Sequence, residues 1–147
     1  MIVILVSGTP GTGKTTYARK LAKDKKYRYL DVNALIDEKK LIDGYDKKRD
    51  SKIIDTEKLN AALIELISSE KKAKGMVIDS HLSHFLPPKY ASKCIITKCS
   101  LPVLKKRLEE RKYSKAKVRE NLDAEIFDTC RVEALELGHN VEVVLTD

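Results

Sequence analysis

The stretch that decides the reading is MIVILVSGTPGTGKTT, residues 1–16. Ile2–Val6 is an unbroken apolar run, the composition of a strand buried on both faces as parallel sheets require. It leads straight into Gly8-Thr9-Pro10-Gly11-Thr12-Gly13-Lys14-Thr15, which fits G-x-x-x-x-G-K-[ST]. A helix-forming segment, Lys14–Lys23, follows. Strand, glycine loop and helix in that order are the context the motif needs. Glycines permit a tight loop whose backbone N–H groups point inward as an anion nest, and the helix adds its positive N-terminal end. In such a loop Lys14 reaches the β- and γ-phosphates of a nucleoside triphosphate, and the Thr15 hydroxyl ligates Mg²⁺. Gly8, Pro10, Gly11, Thr12, Gly13, Lys14, Thr15 and Thr16 are therefore the candidate cradle for MgATP.

The rest of the chain alternates short strands with amphipathic helices. Strands are expected at Tyr27–Val32, Met76–Asp79, Cys94–Thr97 and Val141–Leu145. Ala34–Lys40 reads as a short helix and Leu41–Lys52 as a polar loop with aromatic and acidic residues. Asp55 or Thr56 caps a helix through about Ser69, with Leu59, Leu63, Leu66 and Ile67 on its apolar face. Pro102 begins a helix to about Arg111, and Ser114 or Lys115 begins a long one that stops near Gly138. Alternating strands and helices imply an α/β fold in one domain, 1–147, with an open parallel sheet covered on both faces.

In such sheets ligands sit at the carboxyl ends of the strands. Val77-Ile78-Asp79 puts a carboxylate there, the partner a P-loop needs to hold the magnesium hydration shell. Thr15 and Asp79 are thus the expected magnesium residues. His81, two residues on, lies at the same edge and could orient a water or a phosphate as a neutral imidazole; His84 reads as structural, and no role suggests itself for His139. Residues 101–119 carry eight Lys/Arg against two Glu. Arg107 and Arg111 share one helical face. Two readings of this segment stand side by side: a solvated face, or a basic hinge that closes over the phosphates and brings cations to a migrating phosphoryl group. Arg107 and Arg111 are the candidates for phosphate or base contact.

Composition sets looser bounds. The chain has 147 residues, 35% charged and 42% hydrophobic, with a net charge of +7 and a pI near 9.2. That basic surface suits phosphate-bearing partners, whether nucleotides, RNA or anionic membranes. No segment approaches the ~20 apolar residues of a membrane span. The three cysteines, Cys94, Cys99 and Cys130, lack metal-ligand spacing and read as reduced, buried thiols of an intracellular protein.

A GTPase is disfavoured, because D-x-x-G and N-K-x-D are both missing. The chain resembles instead the CINAP-type adenylate kinases of archaea and eukaryotic nuclei, which double as small-subunit ribosome assembly factors. The resemblance runs over nearly the whole chain. Its marks are Gly8–Thr16, Asp43-Gly44-Tyr45-Asp46, Ile54-Asp55, the Asp79-x-His81 pair, Arg107-Leu108-Glu109 with Arg111 and Tyr113, and Asn121 followed by Glu125-Ile126-Phe127. It implies a P-loop nucleoside-monophosphate-kinase fold with a five-stranded parallel sheet, an acceptor-binding arm near 32–55 and a short lid near 112–116. It also implies the reaction ATP + AMP giving two ADP with Mg²⁺, and slow ATP hydrolysis with His81 in the associated position. Its implied partner is a platform protein of the small ribosomal subunit, with indirect rRNA contact, no membrane, and a cytoplasmic or, in eukaryotes, nuclear setting.

One position departs from that pattern: Asp37 stands where an arginine for the AMP phosphate is expected, with Lys39 and Lys40 nearby. Two alternatives remain beside the kinase: an ATP-controlled assembly factor with little kinase activity, and a P-loop kinase for another small acceptor. The sequence stops at Asp147, just after the last strand, where folds of this kind continue with a loop against the adenine and a helix over the sheet. The expectation is that the chain either self-associates weakly, as a homodimer through the face that helix would cover, or stays a monomer that binds adenine loosely.

Overall fold

The computed structural model describes residues 1–49 and 51–147. Its centre is a parallel sheet of β1 (Ile2–Ser7), β2 (Arg28–Asp31), β5 (Gly75–Asp79), β6 (Lys93–Lys98) and β7 (Val141–Leu145), in the order β2-β5-β1-β6-β7. The apolar runs explain the burial. Successive side chains of a strand alternate between the two faces of a sheet. Val3 and Leu5, with Met76, Ile78, Cys94 and Ile96, pack on one face against Leu59 and Leu63 of α3 (Thr56–Ser69) and Val32, Leu35 and Ile36 of α2 (Val32–Glu38). Ile4, Val6, Val77 and Ile95 pack on the other against Ala18 and Ala22 of α1 (Lys14–Lys25). Small residues on α1 let it lie close to the strands. A third cluster joins Leu104 and Leu108 of α4 (Leu101–Glu110) to Val118 of α5 (Lys115–Ile126).

The α/β class, the parallel five-stranded sheet and the helices on both faces are as the sequence implies. Three local expectations change. The strand at Tyr27–Val32 ends at Asp31, whose carboxylate accepts from Asn33 N at 2.9 Å and starts α2. The polar loop at Leu41–Lys52 holds an antiparallel hairpin, β3 (Ile42–Asp46) and β4 (Ser51–Ile54). Its charged residues mask the alternation that would have marked strands. The hairpin turn is shaped by Asp46, whose carboxylate accepts from the backbone N–H of Lys48 and Arg49 at 3.0 and 3.2 Å. The long helix from Lys115 is broken into α5 and α6 (Thr129–Glu136) by Asp128 in the left-handed conformation, φ 57°. Ion pairs fix that break, since Asp128 binds Lys98 Nζ at 2.7 Å and also Arg131.

His84 is the structural histidine expected. It is buried in a short 3-10 turn, Ser83–Phe85, with Nδ1 2.7 Å from Ser7 Oγ and Nε2 3.2 Å from Glu133 Oε1. His139, for which the sequence offered no role, is also buried and donates from Nε2 to the His84 carbonyl at 2.8 Å. This chain of bonds ties the end of β1 to α6. Burial lowers the His84 pKa from its ordinary 6.5, against the pull of Glu133, so the folded protein keeps the ring neutral where the unfolded chain would protonate it. The stabilisation is complete above pH 6.5 and is lost as pH falls from there through the folded value. Urea unfolding at pH 7.5 and 5.5 checks this: the parent should lose more stability over the interval than His84→Asn, and equal losses would assign the effect elsewhere.

Candidate nucleotide site

The loop between β1 and α1 is shaped from both sides. Gly8 has φ 142°, and a Cβ there would stand 2.6 Å from the Thr97 carbonyl oxygen and from Thr97 Oγ1. No side chain fits without moving β6 away. The Thr12 hydroxyl donates to the Thr9 carbonyl at 2.6 Å and lies 2.8 Å from the Thr97 hydroxyl. Gly13, with φ 79°, is the first residue to break from loop into α1. Lys14 folds back over the loop and donates from Nζ to the Thr9 carbonyl at 3.2 Å. Burial among the loop walls lowers its pKa to about 8; Arg111 pushes in the same direction, while Asp79 and Glu125 oppose it. An ammonium held above a nest of N–H groups, at reduced basicity, is poised to gain a strong anionic partner.

Asp79 ends β5 in register with Val6 of β1, so its carboxylate stands beside the start of the loop, as the sequence requires of a magnesium residue. It is 5% exposed, and Tyr29 donates its hydroxyl to Oδ2 at 2.7 Å. That contact and burial raise the Tyr29 pKa to about 12, burial being the larger cause. The Arg19 guanidinium lies 5.2 Å over the Tyr29 ring. Thus a tyrosine braced by a cation fixes one oxygen of the Asp79 carboxylate. Among the described residues no group of three or more His, Cys, Asp or Glu could hold a metal by itself. Thr15 and Asp79 offer oxygen donors only, the kind Mg²⁺ prefers, and such sites take their remaining ligands from water and substrate phosphates. The residues present therefore fit magnesium delivered with a nucleotide.

His81 is open to solvent at the cleft edge. Crowding by the surrounding walls and the cations of Lys14 and Lys117 lower its pKa, so the ring is neutral at pH 7. A neutral ring nitrogen at that edge can accept a hydrogen bond from water.

Arg107 and Arg111 divide the opposite side of the loop. Arg107 donates from Nη2 to the Thr146 carbonyl at 2.6 Å and from Nη1 to the Gly11 carbonyl at 3.4 Å. With those bonds it walls a cleft of about 540 Å³, lined also by Gly13, Tyr17, Lys20, Glu110 and Thr146. This places Arg107 behind the loop, with its donors engaged by carbonyls. Arg111 lies at the mouth and donates to the Tyr113 hydroxyl at 3.4 Å, while Lys117 Nζ stands 4.2 Å over the Tyr113 ring. Both cations flank the short turn between α4 and α5. Asp37, at the position where an arginine was expected, lies 3.8 Å from Lys52 Nζ of the hairpin; Lys39 and Lys40 are exposed.

Several side chains here were invisible to motif reading. Tyr29, Thr97 and Thr146 each come from a segment read only as strand or strand end, and each acts through a partner far away in sequence. Thr97 and Thr146 offered only a position at the carboxyl end of a parallel strand, and Tyr29 only a place within one. All three cysteines are free; Cys94 and Cys99 are buried as expected, while Cys130 is half-buried.

Comparison with known proteins agrees with this geometry. A family model described as an AAA domain matches residues 4–128. A protein of Methanosarcina acetivorans named “Putative adenylate kinase” is 39% identical over 138 residues, spanning 92% of this chain and 72% of that protein. A Methanocaldococcus jannaschii protein of the same name is 38% identical over 144 residues, spanning 98% and 78%. The Drosophila melanogaster “Adenylate kinase isoenzyme 6 homolog” is 34% identical over 131 residues, spanning 89% and 73%. Among solved structures, shikimate kinase from Bacteroides thetaiotaomicron superposes with a TM-score of 0.66 at 15% identity, over 99% of this chain and 86% of that one. At that identity the likeness concerns the fold alone. Matched across most of its length by that family model and by these relatives, the chain belongs to the adenylate kinase family of P-loop proteins.

Proposed function

We propose that this P-loop nucleotide kinase transfers the γ-phosphoryl group of MgATP to AMP, giving two ADP. The observation that carries the reading is the joint placement of the glycine nest, Lys14 and the Tyr29-braced Asp79 at one sheet edge, in a chain whose relatives bear the adenylate kinase name. In this reading the loop from Gly8 to Thr16 holds the triphosphate, with Lys14 on the β- and γ-oxygens. Thr15 and Asp79 hold magnesium, which neutralises charge on the migrating phosphoryl when bound. Arg111 lends its cation to the phosphates from the lid turn, and Arg107 forms the wall against the base. The γ-phosphorus bonds to an AMP phosphate oxygen as its bond to the β-phosphate bridging oxygen breaks. The hairpin and α2 form the acceptor arm. With no arginine at Asp37, acceptor affinity is expected to be low.

Slow ATP hydrolysis is a second activity, supported by the neutral His81 open to water beside Lys14. The resemblance to the CINAP-type kinases further supports a platform protein of the small ribosomal subunit as a partner, and a role in maturation of that subunit. Product analysis with AMP, CMP, dAMP and no acceptor tests the main reading: ADP made stoichiometrically from AMP supports it. Hydrolysis stimulated only by a ribosomal protein would favour the ATP-controlled assembly factor.

Lys14→Ala should lower MgATP affinity by about 10- to 100-fold, the worth of a charge-assisted bond to phosphate, and abolish transfer. Unchanged calorimetric affinity would overturn the site. In the parent, affinity should be flat below pH 8 and fall by at most about tenfold per unit above it, because Lys14 must then take up a proton on binding.

Asp79→Asn should leave metal-free nucleotide binding intact and reduce magnesium-dependent turnover. His81→Ala should lower hydrolysis more than transfer to AMP, since transfer supplies its own nucleophile; equal losses would leave His81 without a water-orienting role.

A further inference from the structure

Glu125 is a buried carboxylate, 7% exposed, at the last turn of α5. Such a group is costly to bury unless its oxygens are fully engaged. Here they are: Oε1 accepts from Thr9 Oγ1 at 3.2 Å and from Lys98 Nζ at 3.1 Å, and Oε2 accepts from the Cys99 N–H at 3.1 Å. Lys98 also reaches the Glu125 carbonyl at 3.4 Å and Asp128 at 2.7 Å. Two of the three donors to the carboxylate belong to the end of β6. The third is the side chain of Thr9, the second residue of the P-loop. Thr9 is also the residue whose carbonyl receives the Lys14 ammonium and the Thr12 hydroxyl. Holding Thr9 therefore holds the acceptor on which both of those side chains are aligned. The break at Asp128 makes this possible, because a helix continuing straight through residue 128 would not present the Asp128 carboxylate to Lys98.

We propose that Glu125 is a positioning residue for the triphosphate: it clamps Thr9 to the end of β6 and so fixes the curvature of the phosphate-binding nest. The helix that carries the clamp begins at Lys115, capped by Ser114, beside the lid turn with Arg111 and Tyr113. Eleven residues of rigid helix, roughly 16 Å at ~1.5 Å per residue, join the lid turn to the P-loop. The inference deepens the proposed nucleotide site and rests on it, but needs only triphosphate binding and not a particular acceptor.

The test uses Glu125→Gln, Thr9→Val and the double variant, all nearly isosteric. In Glu125→Gln the amide turns N–H groups toward donors that the carboxylate had satisfied. In Thr9→Val the clamp loses its P-loop end while Lys98 and Cys99 stay bound. Calorimetry with a non-hydrolysable MgATP analogue and with magnesium tripolyphosphate gives the binding readout; thermal melting without ligand gives the structural one. Each single variant should lose affinity for both probes by about fivefold or more, the scale of one charge-assisted hydrogen bond. The unliganded melting temperature of Thr9→Val should stay within a few degrees of the parent, and the double variant should bind no worse than the weaker single. Affinities within twofold of the parent in both single variants would overturn the proposal. So would losses that multiply in the double variant, or losses that only follow a fall in melting temperature. If Glu125→Gln fails to fold, Thr9→Val decides alone on the same thresholds. The parent's ADP yield from AMP is measured beside them, so failure of the kinase reading is seen separately from failure of the clamp.

Discussion

Every part of the nucleotide site hangs from β1. This strand is hydrogen bonded on both edges, to β5 and to β6, and its two faces bury Val3 and Leu5 on one side and Ile4 and Val6 on the other. A strand so constrained cannot slip in register, because a shift of one residue would exchange its two apolar sets between faces. Its carboxyl end is thereby fixed relative to Asp79 on one neighbour and to Thr97 and Lys98 on the other. The P-loop inherits that precision: it starts at a point defined by the core and is gripped from β6 by Thr97 and, through Glu125, by Lys98 and Cys99.

The distribution of charge follows from the same scaffold. One side of the loop carries the Asp79 carboxylate at a strand end, and the other carries Lys20, Arg107 and Arg111 together with Glu110. Lys14 lies between them, and its basicity records the compromise: burial and Arg111 lower it, while Asp79 and Glu125 hold it up. A ligand bearing several negative charges and a divalent cation would satisfy both walls together, which neither wall can do for the other across the loop.

Legibility in the sequence followed the range of the forces involved. The P-loop, the buried strands and Asp79 were readable because their signal is local: glycine spacing, apolar runs, a carboxylate at the end of a run. The hairpin at Ile42–Ile54 was not, since its strands are short and half-covered with charge, and its register is set by an aspartate turn and not by a buried face. The break at Asp128 was hidden for another reason. The sequence around it continues a good helical pattern, and of the two ion pairs at the break, with Arg131 and with Lys98, the second comes from 30 residues away. Likewise the Tyr29–Asp79 bond joins residues 50 apart, and nothing near either one announces the other.

The bond from the Thr146 hydroxyl to the Thr12 carbonyl joins the first loop of the chain to the residue after β7, across 134 residues, and Arg107 holds the same residue by its carbonyl. During synthesis this matters for timing. Helix α1 and the loop before it emerge early, but β7 cannot dock until residue 146 has left the ribosome. Contacts of such long sequence separation form late, because the intervening chain must first be ordered. A nascent chain would therefore display the glycine loop well before Thr146 closes against it.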